Sequence, residues 1–276
     1  MASKISKERT ISSVILVIIA LATILPGGPI LAVTLYLISN VAFLELTKAC
    51  GINTGKKMNA LEITGLLAIA AYYLLIFFAQ THTYFMITVI LLLMALMFVY
   101  VFAFPKFTAN QVMTTYFSLI YAPVMLSFIF LTRQLEYGVY LVWMIFISSW
   151  ISDTCAYLVG VLIGKHKLVP QLSPKKTIEG AIGGILGSAL VGALFGFLLL
   201  DKTLGGNQYG IMLFIIGAIG SVISQVGDLA ASAIKRDLQI KDFGNIFPGH
   251  GGFMDRFDSV MFVAPIIYGM YALFWG

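Results

Sequence analysis

Nine mostly apolar stretches, each close to the roughly 20 residues a helix needs to cross a bilayer, dominate this sequence. They fall at about 11–25, 28–47, 61–80, 84–104, 108–131, 138–160, 177–200, 209–234 and 259–275. In hydrocarbon the backbone has no water to bond, so a run of this kind must close its own hydrogen bonds as a helix. Composition agrees: 60% of the 276 residues are hydrophobic and 11% are charged, against about 25% charged in a soluble domain. The chain reads as an all-α, polytopic integral membrane protein with about nine transmembrane helices. It forms a single membrane domain over 1–276, because no linker divides it.

The first run is short, and Pro26-Gly27-Gly28 breaks it from the second, so a tight hairpin is expected there. Met1 to Arg9 followed by an apolar run mimics a signal peptide, but no small-x-small cleavage site follows, which predicts an uncleaved anchor. Orientation follows the basic residues. With the amino terminus inside, 15 of the 17 Lys and Arg fall on one side; Arg133 and Lys202 fall on the other. The protein is therefore expected in the cell membrane, multi-pass, with its long polar segments, 161–176 and 235–258, facing the cytoplasm. No nucleic-acid partner is expected, and a homodimer is compatible with the chain. Cys50 and Cys155 have no metal-ligand spacing and read as reduced packing residues.

The helix expected at 209–234 carries Ser221, Ser224, Gln225, Asp228 and Ser232 on one face, with Lys235 just beyond. An Asp within a membrane helix costs about 2.5–3.5 kcal/mol on insertion scales and must face protein or a wet cavity. Such a stripe serves either as interhelical hydrogen-bonding glue or as a site, and a carboxylate is a costly glue. The helix at 138–160 repeats the theme with Ser149, Ser152, Asp153 and Tyr157. Asp153 is a candidate ligand, base or lysine partner. Between the two runs Ser173-Pro174-Lys175-Lys176-Thr177, then Glu179-Gly180. Ser before Pro predicts a helix start with Ser173 as N-cap. That would put Lys175 and Lys176 in the first turn, where cations oppose the helix dipole unless an anion binds. Gly180, Gly184, Ser188, Gly192 and Gly196 continue that helix at four-residue steps, a small-residue ridge for close helix packing.

The last polar segment carries Lys235-Arg236, Lys241-Asp242-Phe243-Gly244 and Pro248-Gly249-His250-Gly251-Gly252-Phe253-Met254-Asp255-Arg256-Phe257-Asp258. Its glycines allow close backbone approach to a ligand, its cations suit phosphate, and Asp255 and Asp258 are hard oxygen donors suited to magnesium. His250, without a second His or a Cys nearby, is a poor zinc ligand; it reads as a hydrogen-bond donor to phosphate or a helper in proton transfer.

The 27 residues from Ser232 to Asp258 resemble the signature of phosphatidate cytidylyltransferases, also called CDP-diacylglycerol synthases, at every fixed position. Ser152-Asp153-Thr154, Ser173 to Thr177 with Glu179-Gly180, and Gln225-Val226-Gly227-Asp228 resemble the family's other motifs. The resemblance thus marks 136–276 as the catalytic half and 1–135 as amino-terminal helices with little motif content. It implies CTP and phosphatidic acid as substrates, CDP-diacylglycerol and pyrophosphate as products, Mg2+ on Asp228 and Asp255, and a companion monovalent cation such as K+. Lys241, His250 and Asp153 join the two metal-binding acids as candidate catalytic residues. Ser173, Lys175, Lys176, Thr177, Lys235, Arg236 and Arg256 are candidates for binding the phosphates. The competing readings are another CTP-dependent lipid enzyme, such as a polyprenol kinase or an ether-lipid cytidylyltransferase, and a secondary transporter. The transporter is disfavoured because the polar residues gather at one membrane face and the hydropathy shows no inverted repeat.

Overall fold

The structure, a computed structural model, describes residues 14–53, 55, 57–79, 83–206, 208–246 and 251–275. The basic start, Met1 to Arg9, and His250 lie outside the described residues. The helices are α1 (Val14–Ile24), α2 (Gly28–Ala49), α3 (Ala60–Ala79), α4 (Thr83–Phe102), α5 (Ala109–Gln134), α6 (Gly138–Ile163), α7 (Ile178–Gly205), α8 (Tyr209–Asp237) and α9 (Met254–Phe274). Seven of them, α2, α3 and α5 to α9, are long and apolar enough to cross a membrane, while α1 and α4 contribute shorter apolar helices. The chain is an all-α polytopic membrane protein, as its apolar runs require. Gly27 and Gly28 take positive φ between α1 and α2, a conformation that favours glycine. Three helices contain π-helical stretches: Ile120–Val124 in α5, Ile147–Ile151 in α6 and Gly196–Gly205 in α7. The first contains Pro123, whose missing N–H an ordinary helical turn would leave as a gap in the ladder.

Two expectations are corrected. Ser173 does not cap a helix. Ser173–Thr177 is a strand, β2, paired antiparallel with β1 (Lys167–Val169), and Lys167 lies opposite Thr177. The true cap is Thr177, whose side chain accepts from Gly180 N at 3.2 Å. Proline is tolerated equally well at a strand edge. Starting α7 after Thr177 also lets Glu179 accept the N–H groups of Lys165 (3.1 Å) and His166 (3.2 Å). Lys175 and Lys176 are therefore strand residues, and the helix-dipole argument for them fails. The second correction concerns α9, which begins at Met254. Asp255, Arg256 and Asp258 accordingly stand in its opening turns and not in the preceding loop.

Two compact units divide the chain. The first comprises residues up to Phe130 with Ile240–Arg256, the second Leu131–Gln239 with Phe257 onward. In the first, α2 packs on α3, with Phe43 filling the space over Gly65. Buried hydroxyls pair there: Ser39 with Tyr73 and Ser127 with Tyr72, each at 2.7 Å. Burial also pushes the Cys50 thiol up, in keeping with an unreactive packing residue. In the second unit α7 packs along α6 and α8. The small-residue ridge makes this possible: a Cβ on Gly184 would fall 2.9 Å from Ser152 O, and one on Gly192 would fall 2.6 Å from Leu213 O.

Candidate active site

The polar stripe of α8 divides between two jobs. Toward its middle it is glue. Ser221 Oγ lies 2.6 Å from Ser152 Oγ of α6, and Gln225 Nε2 donates to Ala181 O of α7 at 3.0 Å. These hydrogen bonds satisfy polar groups that would otherwise face hydrocarbon. One turn further, Asp228 departs from this pattern. Its carboxylate pairs with Lys176 Nζ of β2, and each side chain is about a quarter exposed (28% and 25%).

Around this ion pair lies a cavity of about 470 Å3, lined among others by Asp153, Tyr157, Lys167, Lys175, Lys176, Thr177, Gln225 and Asp228. The helices bring their carboxylates to it, α6 through Asp153 and α8 through Asp228, and the β1–β2 hairpin brings three lysines. Gly160 and Gly180 leave room where α6, β2 and α7 converge: a Cβ on Gly180 would lie 2.7 Å from Ala156 O and 2.9 Å from Thr177 Oγ1. Asp258, buried in the first turns of α9, is within electrostatic reach of Asp228, Lys235 and Asp153. Arg236 Nε donates to Leu172 O at 3.5 Å and so ties the end of α8 to the hairpin. A cavity of this kind, holding more cations than anions, is suited to a polyphosphate.

Of the residues singled out in the sequence, the cavity thus gathers Asp153, Lys175, Lys176, Thr177 and Asp228. Thr177 spends its hydroxyl on the α7 cap. Ser173 sits at the far end of β2, opposite Val169, and is not among the lining residues. Lys167, in the sequence one of the 15 basic residues on one side of the membrane, also lines the cavity; its pairing opposite Thr177 is what brings it there.

The first unit holds the rest of the signature. Asp255, 8% exposed, folds back on its own segment: Oδ2 accepts from Phe243 N at 2.8 Å and Gly252 N at 3.0 Å. Gly251 takes a φ of 80° beside it. Arg256 Nε is enclosed with no hydrogen-bond partner among the described residues. Lys241 is exposed. Sequence reasoning missed Glu45 of α2. Its carboxylate accepts from Phe253 N at 3.2 Å and Met254 N at 3.0 Å. A buried acid at the end of an apolar run was the signal available for it.

Comparison with known proteins bears on the whole chain. The sequence model described as "Cytidylyltransferase family" matches residues 7–274. A protein of Bacillus subtilis named phosphatidate cytidylyltransferase is 32% identical, over 97% of this chain and 98% of its own. Proteins of the same name from Staphylococcus aureus and Staphylococcus epidermidis are 34% and 33% identical, each over 95% of this chain and 97% of their own.

Proposed function

The chain belongs to the cytidylyltransferase family, and on that premise we propose that it transfers CMP from CTP to phosphatidic acid, giving CDP-diacylglycerol and pyrophosphate. The observation that carries this reading is the cavity of the second unit, where Lys167, Lys175 and Lys176 face Asp153 and Asp228 at one end of membrane helices. Its volume of about 470 Å3 falls within the roughly 300–1,000 Å3 typical of ligand sites. A nucleotide needs such a polar, cation-rich chamber, while the acyl chains of the second substrate need lipid close by. A site at a helix end serves both.

In the proposed reaction an oxygen of the lipid phosphate attacks the α-phosphorus of CTP in line. The bond from that phosphorus to the oxygen bridging to the β-phosphate breaks, and the electron pair leaves with pyrophosphate. Phosphate is already a competent nucleophile, so the protein contributes positioning and charge neutralisation. The lysines of the hairpin hold the triphosphate. Lys235, Arg236, Lys241 and Arg256 are the cations proposed for the remaining phosphate oxygens. Lys176 has a second duty, orienting the Asp228 carboxylate through their ion pair.

Asp228 and Asp255 are the carboxylates proposed for magnesium. Their oxygens are the hard donors this ion takes, and a positive charge already rests on Asp228 as Lys176 Nζ. Among the described residues no group of three or more His, Cys, Asp or Glu is arranged to hold a metal. Magnesium does not require one, since one or two carboxylates plus substrate phosphates suffice. When bound, the ion neutralises phosphate oxygens. The concentration of basic residues on one set of loops supports a cytoplasmic site, where CTP is available. The test is product identity: purified protein given CTP and phosphatidic acid should yield CDP-diacylglycerol and pyrophosphate, whereas release of CDP would identify a kinase.

A further inference from the structure

Glu45 stands one turn from the end of α2, in the half of the chain without motifs, and is only 8% exposed. A buried carboxylate is costly unless it is hydrogen-bonded. This one accepts from two successive backbone N–H groups, those of Phe253 and Met254, where α9 begins. The opening N–H groups of a helix have no partner within it and carry the positive end of its dipole. Glu45 therefore caps α9 from another helix, across 208 and 209 positions of sequence.

Two glycines of the signature are explained by the same carboxylate. A Cβ on Gly244 would lie 2.2 Å from Glu45 Oε1, and one on Gly252 would lie 2.3 Å from both oxygens. Neither residue has positive φ, so conformational freedom is not the reason for glycine there. The backbone at these two glycines closes around the Glu45 side chain. Asp255 secures the same backbone from within, through Phe243 N and Gly252 N.

We propose that Glu45 is a positioning residue for the reaction: it seats the backbone at Gly244 and at Gly252–Met254 and thereby sets where Asp255 and Arg256 stand. Its kinetic consequence rests on the proposed cytidylyltransferase activity; its structural consequence does not. In E45Q the amide can accept only through its oxygen, and its NH2 group opposes one of the two N–H donors. In E45A both donors are left without an acceptor.

The test uses the full-length enzyme in mixed micelles, with the folded fraction counted by monodisperse size-exclusion recovery. E45Q and E45A should lower kcat per folded enzyme by at least about tenfold, the scale of a lost hydrogen bond to a charged group. CTP KM should move less, and E45D should recover part of the loss. Amide exchange at Phe253 and Met254 should quicken in E45Q. G252A should impair the native enzyme through its clash with Glu45, but should add little in the E45A background, a coupling that neighbouring sites show and independent ones do not. The proposal is overturned if kcat per folded enzyme is unchanged in E45Q and E45A, if exchange at 253 and 254 is unchanged, or if the G252A and E45A losses multiply. If the native enzyme makes no CDP-diacylglycerol, the functional reading fails instead, and the exchange comparison still decides the role of Glu45.

Discussion

Neutralising Lys176 separates a site from a mere orienting charge. Its ammonium lies on Asp228, and both line the cavity that also holds Asp153, with Asp258 within electrostatic reach of Asp228. In K176Q three carboxylates share this region with one fewer cation. Breaking a fully buried pair costs about 3–5 kcal/mol. Here each partner is about a quarter exposed and the cavity admits solvent, so a stability loss of roughly 1–2 kcal/mol is expected. The kinetic effect should be larger. A hydrogen bond to a charged group is worth about 1.5–3 kcal/mol, which corresponds to roughly 10- to 150-fold in kcat/KM for CTP. Initial rates at limiting CTP, with phosphatidic acid saturating in mixed micelles, measure this directly. K175Q, at an exposed position of the same strand, should lose less. If K176Q keeps native kcat/KM for CTP while remaining folded, the cavity does not hold the triphosphate and the lysine serves only topology or Asp228.

Asn at Asp228 or Asp255 should nearly abolish turnover without loss of membrane insertion, read by rates across a magnesium titration; D255N should also loosen the loop, since Asp255 Oδ2 takes two of its N–H groups. G192V should cost about 1–3 kcal/mol by overpacking, because even a methyl group there would meet Leu213 O at 2.6 Å; thermal unfolding in detergent measures it, and an unchanged midpoint would argue against the observed α7–α8 contact. Tag-accessibility mapping should place the two termini on opposite sides of the membrane, as an odd number of crossings requires, with the β1–β2 hairpin on the amino-terminal side.

Much of this was legible because a membrane makes charged residues conspicuous. Asp153 and Asp228 stood out as acids within apolar runs, and the structure puts both at one cavity. The four-residue glycine spacing of α7 likewise foretold its close packing. The hairpin was not legible. Pro174 is acceptable both at a helix start and in an edge strand, and the choice is made by contacts distant in sequence, such as Glu179 with the N–H groups of Lys165 and His166. Missing the hairpin also hid Lys167, which reaches the cavity through its pairing opposite Thr177. Glu45 was overlooked for a related reason: its acceptors' partners begin 208 positions later, and local pattern cannot supply so remote a partner. The glycines of the signature were read as room for a ligand; at 244 and 252 that room is taken by Glu45.

The central claim is that the α-phosphorus of CTP, with its cytidine, passes to the lipid phosphate. Purified enzyme in mixed micelles with phosphatidic acid and magnesium should be given CTP labelled on the α-phosphate in one reaction and on the γ-phosphate in another. The account predicts that the α-label enters the lipid as CDP-diacylglycerol while the γ-label appears in pyrophosphate, in equal amounts. Transfer of the γ-label to the lipid, or an unlabelled lipid in both reactions, would contradict it.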